Sequence, residues 1–171
     1  MIKRRRLFQL SLAAAAAPFF PSGVANSGQL GRWSARAGMP LALQEIYPAI
    51  RGELIHVAGG LTPVAEGRVR PSDVHLQYNI AEDQWQTRAA LPEARHHLAL
   101  AASGAHIYAL GGFRKEAAGD WSMCDHSWRY FPEEDRWQTL PSAPEPYAEA
   151  VTLAAGGLIH VVGGRTPKGE N

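Results

Sequence analysis

Short hydrophobic runs that end in a pair of glycines recur three times along the chain. They occupy residues 53–60, 105–112 and 157–164. Each run is rich in β-branched or aromatic residues, and a glycine pair favours a turn, so the pattern predicts short β-strands. The glycine pairs begin at Gly59, Gly111 and Gly163, which sets a constant period of 52 residues. A constant period of this length indicates a repeat architecture.

Other positions keep the same period without an insertion. The recurring residues are Trp33, Trp85 and Trp137; Tyr78 and Tyr130; Asp83 and Asp135; and Pro40, Pro92 and Pro144. Within one period the pattern predicts four strands, which in the second copy are residues 97–102, 106–110, 127–131 and 137–140. Long loops are expected at residues 61–73 and 113–125, and Pro48 is expected inside the first strand. Four short strands separated by turns form the unit of a propeller blade.

The glycine pair, the tyrosine, the tryptophan and a following proline–arginine segment resemble the kelch repeat. The pattern reads Gly59-Gly60, Tyr78, Trp85 and residues 91–95, and then Gly111-Gly112, Tyr130 and Trp137. The resemblance covers residues 33–171 and implies an all-β, kelch-type β-propeller over residues 30–171. We expect two full blades, part of a third, and an N-terminal closing strand at Trp33 that lacks its partner.

The length of the chain conflicts with a closed ring. Propellers have about four to eight blades, and residues 33–171 supply fewer than three periods of 52 residues. We therefore expect a fragment of a longer propeller. The alternative is a ring that assembles from two or more copies.

Residues 1–25 have the layout of a secretory signal. A basic start at residues 3–6 precedes an alanine-rich apolar core, and Ala25 is a plausible cleavage point. Arg5-Arg6-Leu7-Phe8 resembles the twin-arginine export motif, although Arg4 and Leu10 replace its usual Ser or Thr and Lys. A membrane anchor is the alternative, but the apolar core is shorter than the span of about 20 residues that a bilayer needs. We expect a periplasmic or otherwise exported protein without a stable membrane span.

The basic leader accounts for the small positive net charge. The chain has 17 Lys and Arg against 16 Asp and Glu, a net charge of +1. Four of the basic residues and none of the acidic ones lie in residues 1–25, so the remainder carries −3. No basic stripe suited to nucleic acid remains. Cys124 is the single cysteine, so we expect neither an intrachain disulfide nor a metal site, and no cofactor.

Polar residues are predicted to gather around the mouth of the central channel. In a meandering blade, the start of the first strand and the end of the second lie at the same rim. The candidate ligand-binding residues at this rim are Glu45, Arg95, His97, Glu149, Arg114 and Arg165. Carboxylate, imidazole and guanidinium groups suit the hydroxyls and the carboxylate of a sugar acid.

Packing roles are the alternative for several of these residues. Arg95 could instead tie neighbouring blades together, and the periodic Trp and Tyr residues are expected to be structural. His56 and His160 share a repeat position and are also expected to pack. His96 and His97 are adjacent on a predicted strand, so we expect them to point to opposite faces and not to share a metal.

The resemblance leaves two classes of function open. The first is a carbohydrate-binding or carbohydrate-active protein similar to the sialic acid mutarotases, exported bacterial kelch propellers that equilibrate sugar anomers by acid–base catalysis. Glu45, Glu149 or His97 could then donate or accept the proton. The second is a non-catalytic propeller that binds a protein or a glycan. Galactose oxidase shares the repeat, but its copper ligands have no counterpart in this sequence, and the sequence leaves open whether turnover occurs.

Overall fold

Two four-stranded antiparallel sheets of the same layout follow one another along the chain. The computed structural model describes residues 8–11 and 32–170. Blade 1 consists of Ala49–Arg51, Leu54–Ala58, His75–Asn79 and Gln84–Arg88. Blade 2 consists of Ala99–Ser103, His106–Leu110, Ser127–Phe131 and Arg136–Leu140. In each sheet the strands lie side by side in chain order, which is the meander of a propeller blade.

A third copy is present as a two-stranded sheet, which we call the third hairpin. Val151–Ala155 pairs antiparallel with Leu158–Val162, in the same register as the first two strands of blade 2. Thr152 donates a hydrogen bond from Oγ1 to the carbonyl oxygen of Leu100 (2.7 Å), so the third hairpin packs against blade 2. The expected all-β partial propeller, with two full blades and part of a third, is confirmed.

A short hairpin follows each glycine pair where the sequence predicts a loop. The pairs, which we call the rim hairpins, are Leu61–Pro63 with Val69–Pro71, Phe113–Lys115 with Trp121–Met123, and Arg165–Thr166 with Gly169–Glu170. The first contains a 3-10 turn at Ala65–Gly67. Strands of two or three residues are too short to show a hydrophobic period, so the sequence predicted the long connections at 61–73 and 113–125 but not the hairpins within them.

The innermost strands begin later than the pattern predicts. In blade 2 the strand starts at Ala99, not at residue 97, and Pro48 lies just before the strand of blade 1 rather than inside it. The three equivalent residues before these strands have positive φ: 57° at Glu45, 54° at His97 and 60° at Glu149. Left-handed backbone cannot continue into a strand, so each strand starts after this position.

The hydrophobic core lies between the two blades. Its members are Ala49, Ala58, Leu91, Leu98, Leu100, Ile107, Ala109, Trp128 and Tyr130. The outer strands of blade 2 are also bound to blade 1 by polar contacts. Arg88 donates from Nε to the hydroxyl of Tyr130 (2.9 Å), and Trp137 donates from Nε1 to the carbonyl oxygen of Ala89 (2.8 Å). The Ala89 amide donates to Asp135 (2.8 Å), so each of these three repeat residues joins two blades.

Two buried histidines, His56 and His75, lie in the same interface. His75 donates from Nδ1 to the Ala89 carbonyl (3.3 Å), which leaves its Nε2 to accept from Nδ1 of His56 at 2.9 Å. The rings of His75 and Tyr130 pack edge to face, with 4.5 Å between their centroids. Burial lowers the pKa of His56 to about 4 and that of His75 to about 3. Both rings are therefore neutral at neutral pH, and the expected packing role of His56 fits this position.

We expect the free energy of unfolding to fall as the pH drops below about 6.5, the ordinary pKa of histidine in an unfolded chain. The folded pKa values are lowered, so this stability is complete above pH 6.5 and is lost down to about 4 for His56 and about 3 for His75. Each histidine contributes a slope of about 1.4 kcal/mol per pH unit in that range. Urea unfolding at several pH values measures the slope.

Two matched variants show whether the pH slope arises from His56 and His75 or from other histidines. His75→Ser copies Ser127, the equivalent residue of blade 2, and should make the pH slope shallower. His160→Gln changes the exposed repeat equivalent of His56 and should keep the wild-type slope. An undiminished slope in His75→Ser would contradict the assignment.

A separate unit at the N-terminus contains one strand pair. Phe8–Ser11 pairs antiparallel with Arg32–Ala35, the strand that carries Trp33. The Trp33 strand was expected to lack a partner, and the structure pairs it with residues 8–11. The rest of the predicted signal segment, residues 1–25, lies outside the described residues. No helix in the described ranges is long and apolar enough to cross a membrane.

Candidate functional site

Glu45, His97 and Glu149 occupy the same position in three successive repeats and form a continuous row. The backbone N–H of His97 donates to the carbonyl oxygen of Glu45, and that of Glu149 donates to the carbonyl oxygen of His97, both at 3.2 Å. Each residue precedes the innermost strand of its sheet. Because innermost strands surround the channel of a closed propeller, the row would lie at the channel mouth of such a ring.

The side chains of the row contact one another, with His97 between two glutamates. Nε2 of His97 lies 2.9 Å from Oε2 of Glu45 and 3.9 Å from Oε1 of Glu149. Arg165, from the third rim hairpin, places Nη1 3.3 Å from Oε1 of Glu149. The His97 side chain is 17% exposed and those of Glu45 and Arg165 are nearly half exposed, so the row is open to solvent. We call Glu45, His97, Glu149 and Arg165 the mouth row.

His96 sets the hydrogen-bonding state of His97. Its ring stacks on Phe113 (5.2 Å between centroids) and meets the Trp121 ring edge-on (4.5 Å). Burial, followed by the charge of His97, lowers the pKa of His96 to about 4. A neutral His96 can donate from Nδ1 to Nδ1 of His97 through their short contact. His97 then keeps its proton on Nε2, facing Glu45.

The adjacent histidines do not point to opposite faces as expected. Their ring centroids are 4.7 Å apart. The reason is the positive φ of His97, 54°, which takes the residue out of the extended backbone that alternation requires. The neighbouring His96 therefore supports the mouth row directly.

Tyr47 adds a hydroxyl group near the row. Its ring lies 6.2 Å from that of His97, between centroids. Burial raises the pKa of the Tyr47 phenol, and the charges of Glu149 and Glu45 raise it further. The phenol therefore remains a hydrogen-bond donor at neutral pH.

Arg95 and Arg114 belong to a different network. The Arg95 side chain is fully buried, with Nη2 2.5 Å from Oε2 of Glu93 and Nη1 donating to the carbonyl oxygen of Gly111 (3.0 Å). Its guanidinium carbon lies 4.3 Å from the centre of the Trp128 ring. Arg114 pairs with Glu116 (2.8 Å) and approaches Glu93 (3.8 Å). The structure thus joins four of the six candidate residues, and it gives Arg95 the packing role that the sequence left open.

Residues that sequence reasoning missed are Tyr47, Glu93, His96, Phe113 and Trp121. Three of them are aromatic where another copy of the repeat is not, and that departure is a signal. Tyr47 stands where later copies have Ala99 and Val151. Phe113 and Trp121 stand where the first copy has Leu61 and Val69. Substitution of a small or aliphatic residue by an aromatic one marks a position that does more than preserve the blade.

Cys124 lies apart from this chemistry. It is buried, and burial is the main reason that the pKa of its thiol is raised. The thiol therefore stays protonated and unreactive at neutral pH. In the described part of the chain, no group of three His, Cys, Asp or Glu side chains is arranged to hold a metal ion.

The mouth row combines side chains that can transfer protons with one that can pair with an anion. An imidazole between two carboxylates can pass a proton to or from either side. The carboxylates accept hydrogen bonds from hydroxyls, and the partly exposed Arg165 guanidinium can pair with an anionic group. This set of groups suits a small, hydroxylated anion.

Known proteins share both the sequence pattern and the blade arrangement. The Kelch-like protein terF of Aspergillus terreus is 30% identical over 141 residues, 78% of this chain and 31% of terF. Beta-scruin of Limulus polyphemus is 32% identical over 118 residues, 68% of this chain and 12% of the scruin. The solved structure of YjhT matches 74% of this chain and 36% of its own, with a TM-score of 0.62 and 22% identity. No family model matches, and the chain spans less than a third of either curated relative.

Proposed function

Because the chain belongs to the kelch-repeat family of β-propellers, we propose that its channel mouth binds a sugar acid. The mouth row carries this proposal, since the fold alone hosts many functions. Arg165 would pair with the carboxylate of the sugar, while Glu45 and Glu149 would accept hydrogen bonds from its hydroxyls. Tyr47, whose pKa is raised, would supply a hydroxyl donor.

The same row supports mutarotase-like chemistry as the catalytic form of this function. Interconversion of anomers requires a proton to leave the anomeric hydroxyl and a proton to reach the ring oxygen. His97 holds a proton on Nε2, 2.9 Å from Glu45, and Glu149 lies 3.9 Å away from the same nitrogen. One carboxylate can accept the first proton while the imidazole donates the second.

The leader supports an exported location. Residues 1–25 combine a basic start, an alanine-rich core and small residues, the layout that directs a chain to a secretion system. The arginine pair at residues 5 and 6 favours the twin-arginine route, which delivers proteins to the periplasm. Detection of the mature N-terminus by mass spectrometry in a periplasmic fraction tests this part of the proposal.

Substitution of Arg165 tests the sugar-acid proposal. We expect N-acetylneuraminate or glucuronate to bind with measurable affinity and Arg165→Gln to weaken binding about 10- to 100-fold, because a charge-assisted hydrogen bond contributes about 1.5–3 kcal/mol. Glucose, which lacks the carboxylate, should be unaffected by the substitution. Isothermal titration calorimetry on the purified chain measures both affinities.

The control is Arg136→Gln. Arg136 is an exposed arginine on the outermost strand of blade 2, and it pairs with Glu134. The variant should bind the acids as the wild type does. Equal binding of the acidic and neutral sugars, or an unchanged affinity in Arg165→Gln, would contradict the proposal.

A protein partner is the second candidate, and one observation favours it. Trp121 is 42% exposed on its rim hairpin, with Nζ of Lys115 5.7 Å from its ring centre. Exposed tryptophans often anchor protein interfaces. Under this alternative, no sugar acid binds saturably, and Trp121→Ala removes the interaction with a partner identified by crosslinking.

A further inference from the structure

An aromatic and cationic pair of side chains lies on the second rim hairpin, and we call it the platform. Its members, Trp121 and Lys115, are partners across the two strands of that hairpin. Both side chains are exposed, and Nζ of Lys115 lies 5.7 Å from the centre of the Trp121 ring. The carboxylate next to Lys115 in the chain, Glu116, is already paired with Arg114 (2.8 Å). The platform therefore presents an aromatic ring and an ammonium group to solvent.

The exposure of the platform is a property of the rim hairpin itself. Its equivalents in the first rim hairpin, one period earlier, are Val69 and Pro63. Both remain partly exposed, although the complete blade 2 follows that hairpin. A following blade therefore does not cover this part of a rim hairpin, and the Trp121 position is open to a ligand in the repeat arrangement.

A continuous wall of rings joins the platform to the mouth row. The rings of Trp121 and His96 are 4.5 Å apart between centroids, and those of His96 and His97 are 4.7 Å apart. Phe113 contacts both histidines, at 5.2 Å and 5.8 Å. Each of these spacings is close to the width of a pyranose ring. The platform therefore lies where the next sugar of a chain would be when a sugar acid occupies the mouth row.

The chemistry of the platform suits a second sugar acid. The face of an indole can pack against the C–H groups of a pyranose ring, and aromatic side chains commonly line ligand sites. The Lys115 ammonium is a point charge on a flexible stem, so it can move from the ring to the carboxylate of a stacked sugar. An apolar ring face with a carboxylate beside it is the structure of a uronic acid.

We propose that the platform binds the second residue of an acidic oligosaccharide whose neighbouring residue occupies the mouth row. The ligand is then a chain of linked sugar acids, a polyuronate, and not a single sugar. The inference rests on the sugar-acid site proposed for the mouth row. It adds the length of the ligand and the charge of its second sugar.

His96 supplies an unused acceptor between the two sites. Its Nδ1 donates towards His97, so its Nε2 carries a lone pair. This nitrogen has no hydrogen-bond partner among the described residues, and His96 is only 6% exposed. A buried acceptor without a donor is costly. A small shift of the exposed Trp121 ring would let a hydroxyl of the second sugar donate to this nitrogen.

Galacturonate and digalacturonate separate the two sites, because only the dimer reaches the platform. We expect isothermal titration calorimetry on the 171-residue chain to show digalacturonate binding at least about tenfold more tightly than galacturonate. Trp121→Val, which copies Val69 of the first rim hairpin, should weaken the dimer about tenfold and leave the monomer unchanged. Trp121→Phe keeps an aromatic face and should retain most of the gain.

Two further variants test the charge of the platform. Lys115→Gln should weaken digalacturonate about two- to fivefold, because an exposed charge pair contributes little, and should leave galacturonate unchanged. Arg70→Gln removes an exposed cation from the first rim hairpin and controls for general attraction of a polyanion. It should bind both ligands as the wild type does. Circular dichroism checks that all the variants keep the fold.

The failure of this inference can be told apart from the failure of the sugar-acid site. Galacturonate binding that depends on Arg165, together with no tighter binding of digalacturonate or no effect of Trp121→Val, would overturn the platform alone. Absence of binding by either ligand would overturn both proposals. Equal losses in Lys115→Gln and Arg70→Gln would show general attraction and overturn the second sugar's charge pair. A protein bound through Trp121 without saturable digalacturonate binding would make the platform a protein contact instead.

Discussion

Gly111→Ala is expected to lower the free energy of unfolding by at least about 3 kcal/mol, the sum of a left-handed backbone penalty and overpacking. Gly111 has a φ of 62°. An added Cβ would lie well inside van der Waals contact with the carbonyl oxygen of Tyr147 and 3.0 Å from Cε2 of its ring. That oxygen cannot move aside freely, because it accepts a hydrogen bond from Gly112 at 2.8 Å.

Gly104→Ala is the matched control for this prediction. Gly104 has almost the same φ, 58°, but no atom within 4 Å of an added Cβ. It should therefore show the backbone penalty alone, about 1–2 kcal/mol. Urea unfolding followed by tryptophan fluorescence compares the two variants. Equal losses would mean that the close approach between residue 111 and Tyr147 adds no cost beyond the backbone penalty.

Arg95→Met is expected to cost about 2–5 kcal/mol of unfolding free energy, because it leaves a buried acceptor unsatisfied and removes a buried cation–π contact. The substitution fills much of the same volume but leaves the Gly111 carbonyl and the Glu93 carboxylate without their donor. It also removes the cation from the face of Trp128. Denaturant unfolding measures the loss.

Arg114→Met is the control, because it removes the same positive charge from a partly exposed position. Arg114 contacts the same Glu93 at 3.8 Å, but its side chain is partly exposed, where water screens ion pairs and their contribution is small. A far smaller loss than in Arg95→Met is expected. If the two variants lost similar stability, the burial of Arg95 would not explain its effect.

The repeat made most of the fold predictable. His106–Leu110 and Ser127–Phe131 were predicted with the bounds that the structure shows, because their hydrophobic runs recur at a fixed spacing between turn residues. The rim hairpins were not predicted, since strands of two or three residues carry no readable period. The late start of the innermost strands was also hidden, because nothing about His97 or Glu149 as residue types signals positive φ.

The candidate site was predictable in part for the same reason. Equivalent positions of successive blades stack at one rim, so Glu45, His97 and Glu149 could be placed together from their spacing alone. Arg95 could not be assigned, because its partners Gly111 and Trp128 are brought to it only by the folded sheet. The spacing of repeat positions predicts the backbone of a blade. The partners of a buried side chain such as Arg95 depend on how the folded strands pack against one another.

An NMR titration that follows the Cε1–H resonance of His97 tests the central claim most directly, that the mouth row binds a sugar acid. We expect a saturable shift with N-acetylneuraminate, a much weaker response with glucose, and loss of the shift in Arg165→Gln. The His160 resonance, on the exposed face of the third hairpin, serves as the internal reference. A His97 resonance that stays unchanged at saturating sugar acid would contradict the claim.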